Sequence, residues 1–197
     1  LADDRIIYTS DAFGLRMVPA GGGAATEVLP APADGVMAFP TRVPRNDVVL
    51  LTLCSNNCAS EHLLALNLAT RAMDTLARNT SRGFYLGDGR LVVLQSDGTL
   101  AGAPFDLDKL RFERPPVPLL NGVQLEIGVV PEVALADDGT LVYLPANQVA
   151  GVGTVSAVDL AGRARVIDPA WQARFTSLAL SPDGRRLVVS TAEPSGN

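Results

Sequence analysis

The chain has 197 residues, enough for one domain with a sizeable core, and 47% hydrophobic against 19% charged content marks a folded chain and excludes a disordered one. A formal charge of −5 without any Lys/Arg run excludes the clustered basic footprint that nucleic acid requires. Gly, Pro and charged residues break every apolar run well before the roughly 18 residues of a membrane-spanning helix, so no transmembrane segment is expected.

The first predicted element is the apolar run in "DDRIIYTS" (Asp3 to Ser10), and "GLRMVPAGGGAATEVL" (Gly14 to Leu29) supplies two further strands joined by Gly21-Gly22-Gly23. That triple glycine lacks the Gly-Lys-Ser/Thr of a phosphate loop and reads as a turn. "MAFPTRVPRNDVVLLTL" (Met37 to Leu53) is a hairpin turning at Arg45-Asn46, and "HLLALNLATRAMDTL" (His62 to Leu76) has helix-like composition. Its position after a hairpin predicts two strands instead. "RGFYLGDGRLVVLQ" (Arg82 to Gln95) repeats the hairpin with Asp88-Gly89 at the turn, and "TLAGAPFDLDKLRF" (Thr99 to Phe112) follows it with two more strands. "EVALADDGTLVYLP" (Glu132 to Pro145), "GTVSAVDLAGRARVI" (Gly153 to Ile167) and "SLALSPDGRRLVVS" (Ser177 to Ser190) complete the series.

The second run of each hairpin begins at Ile6, Val48, Leu91, Leu141 and Leu187, spaced by 42, 43, 50 and 46 residues. That period, with short Val/Leu/Ile runs between Gly, Asp, Asn and Pro turns, is that of four-stranded propeller blades. Runs such as Leu91-Val92-Val93-Leu94 are apolar without alternation, as a sheet packed on both faces requires. The expected fold is all-β, a β-propeller region over residues 1–197. Its blades fall near residues 1–31 (partial), 34–77, 80–121, 130–168 and 175–197 (partial), so the chain is a partial ring or a fragment of one.

On these motifs the chain resembles the TolB-like or WD-repeat-like bacterial propellers, whose hallmark is the "SPDGRRLVVS" hairpin. Within that group "GRLVVLQSDGTLAGAPFDLDKLRFERPPVPLLNGV" (Gly89 to Val123) and "ADDGTLVYLP" resemble the propeller that accompanies bacterial serine/threonine kinases. The resemblance implies a ring of six to eight blades used for binding. Kinase motifs themselves are missing from the sequence, so a kinase link makes this chain the sensor half.

Catalytic chemistry has few carriers. His62 is the one histidine, is read as a solvent-facing strand residue, and is kept as an interaction candidate because Gly-x-Ser-x-Gly does not occur. Cys54 and Cys58 in "CSNNCAS" are the only cysteines. With His62 they fall short of a four-ligand zinc site, and the three-residue spacer favours a local disulfide. Asp3-Asp4, Asp106/Asp108 and Asp137-Asp138 do not offer the six or more oxygens of a calcium site and read as turn acceptors, and Asn79-Thr80-Ser81 carries no weight as a glycosylation site. No catalytic residue, metal or cofactor is expected.

Function is therefore expected at loops and on the first strands, which carry Met37, Phe39, Phe84, Tyr85, Val133, Leu135, Leu178 and Leu180. Candidate surfaces are Arg82 to Tyr85, Val130 to Val133, Trp171 to Phe175 and Ser55 to Glu61. Trp171 and Phe175 lead as contact residues, because aromatics are enriched at binding hot spots; a role capping the core is the alternative. The chain is read as a non-catalytic, protein-binding subunit or domain, periplasmic or otherwise extracytoplasmic, docked on other subunits of a membrane-bound complex. The open ends, at Leu1 without Met and at Asn197, support that expectation, with more than about 1,000 Å² buried against partners. The alternatives are an extracytoplasmic ligand-sensing domain of a kinase, a lyase- or lactonase-type enzyme, and a cytoplasmic location if the cysteines are reduced.

Overall fold

A computed structural model of the chain describes residues 4–10, 14–45, 47–56, 58–126, 130–131, 133–146, 152–159 and 162–192. Asp3, Asn46, Asn57 and Glu132, which the sequence reading uses, lie outside them. The described residues form antiparallel strands throughout. The first sheet is β1 (Arg5–Thr9), β2 (Leu15–Pro19) and β3 (Thr26–Leu29), paired in that order. The second is β4 (Gly35–Arg42), β5 (Val48–Ser55), β6 (Ser60–Asn67) and β7 (Met73–Arg78), again in chain order. The third contains β8 (Thr80–Tyr85), β9 (Arg90–Gln95), β10 (Leu100–Asp106) and β11 (Arg111–Phe112). After β12 (Val117–Leu120) comes a short pair, β13 (Leu125–Glu126) and β14 (Val130–Pro131). The last sheets are β15 (Val133–Leu135), β16 (Leu141–Tyr143), β17 (Ser156–Val158) and β18 (Ala164–Val166), and then β19 (Arg174–Leu180) with β20 (Leu187–Ala192).

Sheets of sequential antiparallel strands, repeated in this way, are the blades of a β-propeller. The turns follow from their residues. Gly89, Gly139 and Gly184 take φ of 85°, 86° and 67°, a left-handed conformation that costs glycine little and other residues more. The helix-like stretch after His62 forms β6 and β7 because Asn67 stops the first strand: its side-chain oxygen accepts from the backbone N–H of Ala69 and Thr70, both at 2.9 Å.

By packing, the chain divides into two compact units, residues 1–85, 89–96 and 101–117 in one and residues 86–88, 97–100 and 118–197 in the other. In the first unit the second sheet is buried on both faces. Val48, Leu50, Leu63 and Ala65 pack with Leu91, Val93 and Phe105, while Val49, Leu51, Leu64 and Leu66 pack with Leu15, Val28 and Met37. Successive residues thus serve opposite cores, which is why these strands are apolar without alternation. In the second unit Ala134, Val142, Leu144, Val155 and Ala157 form a core with Phe175 and Leu178.

Candidate functional site

The first unit holds a cation in a setting unlike that of the other charges among the described residues. Arg82 lies on β8 two residues from Phe84, so both side chains share a strand face. Its guanidinium carbon is 4.9 Å from the Phe84 ring centroid and 5.3 Å from that of Phe39, within cation–π range. Arg82 Nε is buried without a hydrogen-bond partner, although the residue keeps partial exposure. Desolvation pushes the guanidinium down to about 10, so it remains cationic at neutral pH. Two such aromatic contacts supply on the order of 1–2 kcal/mol each, less than the several kcal/mol that enclosing an ion costs. The balance favours a site that is stabilised by something further.

Phe39 reaches Arg82 through an irregular backbone. Its φ of 51° is a strained conformation for a bulky residue, and the β4–β5 register shifts between Ala38 and Thr41. Pro40 explains the shift, because it has no N–H to give to the ladder and proline inside a strand marks an edge or a bulge. Phe39 is expected on a first strand, and "AFPT" is the signal that it stands at a bulge.

A second polar cluster lies between the second and third sheets of the same unit. The Glu61 carboxylate accepts from Ser96 Oγ at 2.6 Å and from Ser81 Oγ, and Thr52 Oγ1 donates to the Ser81 carbonyl at 2.8 Å. Glu61 is 8% exposed, so the Ser55–Glu61 segment ends in the interior and not on a rim surface. His62, expected to face solvent, is enclosed in part. It is half-buried with Nδ1 enclosed and unpartnered, because it shares the strand face of Leu64 and Leu66, which packs on the first sheet. Cys54 and Cys58 are joined as a disulfide with Cα atoms 4.7 Å apart, closing the loop between β5 and β6.

The other candidate residues divide between surface and core. Phe84 and Phe175 are 7% and 6% exposed, so neither side chain is an open surface contact. Phe175 packs in the second unit's core with Leu178, and Trp171 meets it edge-on at 5.3 Å and 86°, half-buried against that core. The aromatic pair therefore caps a hydrophobic core. Tyr85 is half-buried beside Phe105, with centroids 6.5 Å apart, and Val133 is buried. Turn carboxylates accept backbone N–H groups: Asp106 from Asp108 and Lys109, and Asp138 from Thr140. Arg45 forms a bidentate pair with Asp47, 2.6 and 3.0 Å, and donates to the Leu107 carbonyl at 3.0 Å.

The chain is thus an all-β propeller chain whose one unit carries a desolvated arginine beside two aromatic rings. No protein-family model matches it, and neither does any curated protein. Among solved structures it is similar to TolB from Acinetobacter baumannii, with a TM-score of 0.65 and 17% identity over 98% of this chain and 48% of TolB. It is also similar to an oligogalacturonate lyase in complex with manganese (TM-score 0.63, 12% identity, 97% of this chain and 56% of the lyase). A luciferin-regenerating enzyme aligns with a TM-score of 0.63 and 12% identity over 96% of this chain and 71% of that protein. The chain therefore spans about half the length of the first two, and at these identities the likeness defines a TolB-like propeller fold.

Proposed function

We propose that this chain is a non-catalytic, protein-binding β-propeller, an extrinsic subunit or domain that docks on a larger membrane-associated complex on the extracytoplasmic side. The observation that carries the binding reading is the Arg82 site. A fixed cation beside two aromatic rings holds a ligand, whereas a guanidinium that stays charged neither takes nor gives a proton near neutral pH. The Cys54–Cys58 disulfide supports an oxidising compartment. The fold likeness to TolB is consistent with a propeller that works by association.

Fractionation of cells expressing the complete gene tests this. The protein is expected outside the cytoplasmic membrane, in the membrane fraction, and released by high-salt or alkaline wash together with a larger native assembly. A cytoplasmic protein, or a free species that never enters the membrane fraction, overturns the reading. Retention through the wash by an attached membrane anchor and kinase domain establishes the alternative, a ligand-sensing domain.

A further inference from the structure

Three other cations each have a close carboxylate partner: Arg45 with Asp47, Lys109 with Asp106 and Arg163 with Asp159, at 2.6, 2.7 and 2.8 Å. Arg82 is more enclosed than any of these, yet among the described residues no carboxylate meets it. Burial is the cause of its shifted protonation, and its Nε lacks even a carbonyl. Phe39, in its strained conformation, and buried Phe84 present apolar faces to the guanidinium and offer it no counter-charge. An enclosed, unpaired ion is costly in the free protein and becomes favourable once an anion arrives, because ion pairs and charge-assisted hydrogen bonds strengthen in a low dielectric.

We infer that Arg82, Phe39 and Phe84 form a binding site for a carboxylate group carried by the ligand or partner of this propeller. One guanidinium neutralises one charge, and its planar fork matches the two oxygens of a carboxylate. A phosphate dianion needs further donors, which the two phenyl rings cannot provide. The half-buried Phe39 ring suits the apolar body attached to the carboxyl group, and the buried Phe84 ring holds the guanidinium in place. This site deepens the binding reading above and does not depend on membrane docking: fractionation can fail while the titration succeeds, and the reverse.

The test is a nuclear magnetic resonance titration of the full chain, following the Arg82 Nε–H signal, assigned by its loss in Arg82→Gln. Sodium benzoate and a capped Gly-Glu-Gly peptide are the carboxylate probes, and benzamide and capped Gly-Gln-Gly are their neutral twins. Saturable shifts with half-saturation on the order of millimolar are expected for the carboxylates. Shifts of neighbouring backbone amides are expected to weaken at least about tenfold in Arg82→Gln, the equivalent of about 1.4 kcal/mol. Tighter binding of benzoate identifies a small aromatic acid as the source, and tighter binding of the peptide identifies an acidic side chain of a partner protein. A linear, unsaturated response, equal response to the neutral twins, unchanged binding in Arg82→Gln, or tighter binding of inorganic phosphate overturns the assignment.

Discussion

Gly83 shows how much a single missing side chain decides. A Cβ at this position would stand 2.6 Å from Leu63 Cδ2 and 2.9 Å from Cδ1, and Leu63 is fully buried in the core between the second and third sheets. Glycine lets β8 close on β6 and so sets the position of its neighbours Arg82 and Phe84. Gly83→Ala is expected to lower stability by about 1–3 kcal/mol, because the added methyl drives Leu63 out of a packed rotamer. Thermal unfolding of Gly83→Ala, Leu63→Ala and the double variant measures this. The double variant should lose less than the two single losses together, since the smaller residue 63 vacates the space the methyl needs; strict additivity would refute the contact. Arg82 was legible as a surface candidate because charge resists burial, whereas its enclosure was not. Strand periodicity reports which residues share a face and is silent on what that face meets, so Phe84 reads as a first-strand surface candidate and Phe175 as a loop contact although both are packed.

The hairpins were the most legible elements, since each carries its geometry in its turn. In Ser181-Pro182-Asp183-Gly184 the Ser181 hydroxyl donates to Asp183 Oδ1 at 2.5 Å, the Arg185 N–H donates to the same oxygen at 3.1 Å, and Gly184 N–H bonds the Ser181 carbonyl at 2.8 Å. The Ser181 hydroxyl first, and the Arg185 amide second, hold the Asp183 carboxyl below its ordinary value of 3.8. A carboxylate whose folded value is depressed contributes its stabilisation above the unfolded value and loses it as pH falls through the folded one. Amide protection in β19–β20, taken as the observed exchange rate relative to the intrinsic rate at each pH, should therefore be flat above about pH 4 and fall only below the ordinary carboxylate range, with Asp183→Asn abolishing that acid dependence. Loss of protection already near pH 5, or an unchanged protection profile in Asp183→Asn, would remove Asp183 as the cause. The effect will be small, because the turn is exposed and the carboxylate solvated. The β4–β5 hairpin was harder to read, since its turn has no glycine and is braced by Arg45 bonding Asp47 and the distant Leu107 carbonyl. A long-range brace of that kind leaves no local pattern. The bulge at Phe39 left a partial one in Pro40.

At the scale of the whole molecule the fold was legible because the same hairpin recurs, and agreement between copies outweighs the helix-like composition of any one segment. The Arg82 site was not, because it depends on side chains from β4 and β8, distant in sequence, and on the lack of a carboxylate partner among the described residues, which composition cannot display. A sheet face left to water is polar in alternation with a buried apolar face, yet Ile6 on β1 is 49% exposed and Val188 on β20 is 68% exposed. Half-buried apolar residues adjoin both, Ile7 and Tyr8 after the first, Leu187 and Val189 on either side of the second. Single exposed apolar side chains are ordinary on a protein surface, and cover by another polypeptide at these two positions is tested by charging them. Charging these positions should leave the fold intact, since neither side chain is packed and such surface changes stay within about 0.5 kcal/mol. The Ile6→Lys/Val188→Lys double variant is therefore expected to unfold at the same midpoint as the unsubstituted chain. In light scattering on the isolated 197 residues it should shift the distribution from associated species towards the monomer. If the unsubstituted chain is already a monodisperse monomer over the accessible concentration range, these faces need no cover, and the docking reading loses its support from them.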